Sequence, residues 1–211
     1  MINLLKNFVT IISVFLLAVI HFGSPTSAKD LVIMTSLPSM EFPFFVHMQK
    51  QLDQEARRIG GIKIMAADGQ NRVPKQTADV ESAIIQGVDG IIISPIDVNA
   101  MAPALQQAID AGIPVVTVDR YVGGVPDIYA HVGADNVKGG EAQARLIMER
   151  FPNGATIVNL QGQPGASPAI DRNKGFTTSL TETANIKSSQ SRLQTGPGIR
   201  ECQSLKTSSP V

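Results

Sequence analysis

The chain has 211 residues, of which 43% are hydrophobic and 17% charged, and its 18 Lys and Arg are matched by 18 Asp and Glu. That apolar share suffices for one or two cores, while the balanced charge gives no electrostatic basis for binding nucleic acid or an anionic membrane surface. The single cysteine, Cys202, excludes an internal disulfide, and no cysteine or histidine cluster suggests a metal.

Residues 1–28 read as a separate segment. Met1 to Asn7 carries Lys6 and no acid, Phe8 to Ile20 is apolar apart from Thr10 and Ser13, and Thr26-Ser-Ala28 precedes Lys29-Asp30. This is the layout of a secretory signal peptide with cleavage expected after Ala28, which places the mature chain outside the cytoplasm. An uncleaved anchor is the alternative, for which the apolar run is short.

From there strands and helices alternate. Asp30 to Thr35 predicts a strand, and Phe45, Met48, Leu52, Ala56 and Ile59 share one face of a helix that Gly60-Gly61 closes. A second strand spans Ile62 to Ala67 and ends at Asp68-Gly-Gln70. Pro74 opens a helix with Val73, Thr77, Val80 and Ile84 on one side, and Gly87 ends it. Gly90 to Ile93 is a third strand, followed by a helix from near Asp97, a good N-cap, that buries Met101, Leu105, Ala108 and Ile109. The fourth strand runs from Ile113 and delivers Asp119 and Arg120 at its carboxyl end.

These repeats predict an α/β fold with a doubly wound, Rossmann-like parallel sheet, in which ligands bind beyond the carboxyl ends of the strands. A short strand follows at Tyr129 to Val132, then a helix capped by Asp135-Asn136 with Val137, Gly140, Ala144, Ile147 and Phe151 on one side. Ala155 to Leu160 is a further strand, and Gly162-Gln-Pro-Gly-Ala-Ser167 turns into a helix holding Ala169, Phe176 and Leu180. The resulting division is a signal peptide (1–28), an N-terminal α/β lobe (29–133), a crossover with the start of a second α/β lobe (134–186) and an irregular tail (187–211). Ser, Thr, Gln, Gly and Pro dominate that tail without apolar period, so the second lobe is expected to be incomplete.

Adjacent Asp119 and Arg120 suit a neutral sugar. The carboxylate accepts hydroxyl protons, the guanidinium fork donates to oxygens, and Phe44 and Phe45 supply apolar faces for the C–H side of a ring. Chemistry alone leaves a structural ion pair beside two core phenylalanines equally open. One phenylalanine is expected in the cleft and one in the core, because helix neighbours point apart. Ser94 is a weaker ligand candidate, and Asp97, Asp135, Asp68 and Gln70 are turn or cap residues first. Enzymatic readings fail: Ser167 sits in a Gly-x-Ser turn, but all three histidines precede it, so it reads as a helix N-cap. No Gly-x-Gly-x-x-Gly follows the first strand, so no dinucleotide cofactor is expected.

Taken together, Phe42-Pro-Phe-Phe45, Gly90-Ile-Ile-Ile-Ser-Pro-Ile-Asp97, Ile113-Pro-Val-Val-Thr-Val-Asp-Arg120, Gly133-Ala-Asp-Asn136 and Gly162-Gln-Pro-Gly-Ala-Ser167 with Arg172 and Gly175-Phe176 resemble the periplasmic ribose-type sugar-binding proteins. These are soluble receptors of ABC importers. The resemblance runs from about Asp30 to Ala184 and implies a hinged periplasmic-binding-protein type I fold. It also implies a periplasmic monomer that is not an enzyme, takes no cofactor, binds no nucleic acid and hands a sugar or polyol to a membrane permease. By position, Phe44 and Phe45 match the aromatics that pack on the sugar, Asp119 and Arg120 the pair on its hydroxyls, and Arg172 an arginine from the second lobe. Phe42 and Ser94 stand where the ribose binders have Asn, so an altered pentose, a hexose or an inositol-like polyol fits as well as ribose. The family's second lobe continues for about a hundred further residues, so weak or absent binding is expected of these 211. Sensing through a chemoreceptor or sensor kinase is the alternative readout.

Overall fold

Short β-branched runs entered through glycine or proline pair side by side, because a strand buried on both faces must satisfy its backbone groups in the sheet. In the computed structural model, β1 (Leu31–Leu37), β2 (Ile62–Asp68), β3 (Gly90–Ile93), β4 (Val115–Val118) and β5 (Ala130–Val132) form one parallel sheet in the order β2-β1-β3-β4-β5. The structure describes residues 29–181 and the strand segments 186–192 and 203–205; the expected signal peptide lies outside them. In register, Thr35 lies beside Ile92 and Ile93 beside Thr117. The strand order reverses between β1 and β3, which opens a crevice beyond their carboxyl ends.

Helices α1 (Pro43–Ile59), α2 (Val73–Gln86) and α3 (Ala102–Asp110) connect the first four strands. Proline near the first turn of each and left-handed Gly87 after α2 set their limits. The core lies where Met34, Ile91, Ile93 and Val115 of the sheet meet Val80 and Ala83 of α2, Met101 just before α3, and Leu105 and Ala108 of α3. Helix α3 begins at Ala102, four residues later than an N-cap at Asp97 implies. Asp97 Oδ1 accepts the N–H groups of Asn99 and Ala100, both at 2.8 Å, closing a turn that does not propagate, and Pro103 marks the true first turn. On α1, Phe45 and Ala56 are buried as the periodicity requires, but Ile59 is exposed and Gln49 takes a buried place.

Two buried glutamines tie these layers together. Gln49 Oε1 accepts from the Thr35 hydroxyl at 2.8 Å. Gln76, fully buried, donates to Ser36 Oγ and the Ser94 carbonyl and accepts the Ile96 N–H at 2.8 Å. It therefore bolts the ends of β1 and β3 to the loop after β3. Gln76→Leu strips the Ile96 N–H of its partner in a dry site, so a loss of about 1–3 kcal/mol is expected, read as a lower urea midpoint with unchanged slope.

The second part of the chain contains α4 (Asn136–Arg150), β6 (Ala155–Leu160), α5 (Ser167–Thr181), β7 (Ile186–Arg192) and β8 (Gln203–Leu205), and both sheets belong to the unit Leu31–Val211. Asp135 caps α4 by accepting the Lys138 N–H at 3.0 Å. Ser167 is the first residue of α5 and not its N-cap; its Oγ accepts the Tyr121 N–H at 2.9 Å instead. Ala144, Phe176 and Leu180 form a small core between α4 and α5.

The irregular tail expected over 187–211 is corrected for two segments. β7 pairs parallel with β6, Ala155 beside Ile186, and β8 pairs antiparallel with β7. The pairing is made by backbone groups that β6 presents, so a Ser- and Gln-rich strand needs no apolar alternation of its own to join. Among the described residues no helix is long and apolar enough to cross a membrane.

Candidate functional site

The carboxyl end of β4 does not simply stop. Asp119 donates its N–H to Val132 O at 2.9 Å, and Arg120 donates to Val118 O at 2.6 Å, so Asp119 is the centre of a three-residue turn at φ 61. This is the positive-φ γ-turn, an uncommon and strained form for a residue with a side chain. The turn brings both charged side chains into the crevice, with Arg120 Nε 3.8 Å from Asp119 Oδ2.

Arg120 is about nine-tenths buried. Its Nη1 donates to Ile96 O at 3.3 Å, its Nη2 to Gln163 Oε1 at 3.2 Å, and its guanidinium carbon lies 5.4 Å from the Phe45 ring centre. The aromatic face beneath the cation is thus part of how the fork is held. Phe45 is 4% exposed and Phe44 57%, their rings edge to face at 5.0 Å. The expected split between cleft and core takes this form, although both rings border the cleft.

That cleft measures about 420 Å³, within the usual range for a small-molecule site. Phe44 and Phe45 bound it from the first turn of α1, Asp119 and Arg120 from the turn after β4, and Gln163 and Arg172 from the β6–α5 turn and α5. Five of the six residues picked from the sequence therefore line one cavity. Ser94 does not: it is fully buried, and its Oγ makes no hydrogen bond of normal geometry. It backs the Asp119 carboxyl closely enough to favour its charged form.

Burial pushes the Asp119 carboxyl above the ordinary aspartate value, against the opposing pull of Arg120, then Arg172, His131 and Ser94. Burial likewise lowers Arg120, which Asp119 partly offsets and Arg172 reinforces. A cleft that desolvates both members of an ion pair favours a ligand able to donate to one and accept from the other.

The second wall is docked by backbone. Val98 donates to Gly165 O at 2.8 Å, and Gly165, at φ 78, lies so close to Asp97 that any Cβ would overlap the carboxylate. Arg172 Nη1 is held at 2.6 Å by Asn136 Oδ1 at the start of α4. Asp97 and Asp135 thus serve turns and caps and do not line the cleft, and Asp68 accepts from Met40 and Gln70 in the same way. Gln163 was not picked from the sequence. Its place inside the Gly162–Ser167 turn was the one signal available, and nothing local distinguishes it from a solvated turn residue.

Residues 33–204 match the periplasmic binding protein domain. The chain is 37% identical over 190 residues to the ribose import binding protein of Bacillus subtilis, covering 85% of this chain and 61% of that protein. It is 40% identical over 131 residues to the galactofuranose-binding protein of Escherichia coli, covering 60% and 41%. Among solved structures, the Caulobacter myo-inositol binding protein bound to myo-inositol is similar at a TM-score of 0.73 and 33% identity, covering 81% of this chain and 57% of that one. The chain therefore spans well under the full length of these relatives. With the parallel sheet, the charged strand end and this match in agreement, the chain belongs to the periplasmic binding protein family.

Proposed function

We propose that the cleft binds a monosaccharide or cyclic polyol, and that the protein presents it in the periplasm to the permease of an ABC importer. The observation that carries this reading is the convergence of Asp119, Arg120 and the Phe44–Phe45 pair from one wall with Arg172 from the other around one cavity. Asp119 accepts two hydroxyls, Arg120 donates its remaining N–H groups, and the exposed Phe44 ring takes an apolar C–H face. Neutral chemistry at every other bordering position suits an uncharged ligand.

The affinity expected is the one these contacts supply. Ligand-observed saturation-transfer NMR and thermal melts with ribose, galactose, fructose and myo-inositol test it. One of them at about ten times its Kd is expected to raise stability by about 1.4 kcal/mol. Saturable binding by none of these, in a chain that melts cooperatively, sinks the reading.

A further inference from the structure

Two cavities meet at the turn between β6 and α5. One is the sugar cleft; the other, of about 300 Å³, extends from the same turn toward Gln161, Ile170 and Asn173. Gly162, Gln163 and Ala169 border both. A glycine offers no side chain and an alanine only a methyl, so Gln163 has the largest side chain of the three.

Its side chain is also fixed. Gln163 Oε1 accepts from Arg120 Nη2 at 3.2 Å, and Nε2 donates to Asn71 Oδ1 at 2.8 Å. Both partners are anchored in turn. Arg120 is bonded to Ile96 O and buried, and Asn71, at φ 53, donates its N–H to Pro38 O at 2.6 Å. A carboxamide held at both ends between two anchored groups cannot swing aside without breaking two hydrogen bonds at once.

The cavity behind it is equipped for hydroxyls. Asn173 Oδ1 accepts from Asn159 Nδ2 at 2.8 Å and from Gln161 Nε2 at 3.1 Å. That leaves Asn173 Nδ2 as a donor and Gln161 Oε1 as an acceptor without a partner among the described residues. Ile170, partly exposed, adds an apolar patch. A donor, an acceptor and an apolar surface are what a second sugar ring or a ring substituent needs.

Resting on the sugar-cleft reading above, we propose that Gln163 determines specificity by size: its pinned carboxamide closes the cleft to a single ring and shuts a second saccharide subsite behind it. Truncating Gln163 joins the two cavities. The same change frees the Arg120 fork, so the single-ring ligand is held less well.

The test compares the wild-type chain with Gln163→Ala and Gln163→Met by saturation-transfer NMR, against ribose, galactose and myo-inositol and against lactose and galactinol, in which myo-inositol carries a galactosyl ring. Gln163→Ala is expected to bind at least one of the two-ring ligands about 10-fold more tightly than the wild type does, and its monosaccharide about 3- to 10-fold more weakly. Gln163→Met, which keeps the bulk and loses the hydrogen bonds, is expected to weaken the monosaccharide similarly while still rejecting two-ring ligands. Gln163→Ser replaces the alanine variant if that one does not melt cooperatively. A wild type that binds a monosaccharide, with Gln163→Ala rejecting two rings as firmly as it does, overturns the proposal and leaves the sugar reading standing. Equal gains in Gln163→Ala and Gln163→Met overturn it too, because bulk would then not be the barrier. No binding of any saccharide by any variant removes the sugar reading and this one with it.

Discussion

Asp119→Asn is expected to abolish measurable sugar binding while leaving the fold intact and, at neutral pH, somewhat more stable. Asparagine tolerates the φ of 61 at this position, so the turn that aims Arg120 survives. What disappears is a charged acceptor, and hydrogen bonds to charged groups contribute about 1.5–3 kcal/mol each. Losing the charge from two such bonds and one of the two acceptor oxygens lowers affinity by about 100-fold, so no saturable binding is expected at concentrations that saturate the wild type.

The stability half of the expectation follows from burial. The folded-state pKa of Asp119 is raised, with burial outweighing the attraction to Arg120. A carboxyl of that kind binds its proton more tightly folded than unfolded. Its contribution is therefore fully present below the ordinary aspartate pKa and is lost as pH climbs through the raised one. Asparagine has no proton to lose. In urea melts without ligand, the wild type is expected to fall behind Asp119→Asn as pH rises through that window and to stay behind at pH 7. A variant less stable than wild type at pH 7 would show that the attraction to Arg120 outweighs desolvation.

Gly140→Ala is expected to destabilise the second part of the chain strongly for a change of one methyl group. A Cβ at Gly140 would overlap the Arg172 carbonyl oxygen and stand 2.7 Å from the Phe176 nitrogen, while one at Gly175 would overlap the Val137 carbonyl. These obstacles are backbone, so no rotamer relieves them; the two helices must part. Overpacking of this sort costs about 1–3 kcal/mol or more, or a melting point lower by about 2–12 °C for a domain of this size. Arg172 sits on the displaced segment and borders the cleft, so binding is expected to weaken as well. Gly139→Ala is the control. Its Cβ would meet only Arg172 Cγ, at 3.9 Å, and alanine is the better helix former, so a neutral or slightly higher melting point is expected. Equal losses from both variants would count against a close helix crossing.

Both helices of that crossing were legible in the amino-acid order, and Gly140 was already on the face now buried. The reason for a glycine there was not. A period of 3.6 marks which side of a helix faces inward but carries no record of how near the neighbouring backbone comes. The limits of α3 show the opposite failure. Asp97 has the chemistry of an N-cap, and only the position of Gly165 against it reveals a turn that docks one wall on the other.

Strand positions, the parallel repeat, the helix stop at Gly87 and the helix start at Asp135, and the delivery of Asp119 and Arg120 at a strand end were determined by the sequence alone, because each depends on residues within a few positions of one another. The tertiary structure decided which polar side chains are structural and which border the cleft. Gln76 was drawn into the core, Ser94 was set behind Asp119 and out of the cleft, and Gln163 was placed between two cavities by partners 43 and 92 residues away. Hydrogen bonds over such separations leave no periodic trace in the chain, since their geometry exists only once the sheet and the turns have brought the partners together.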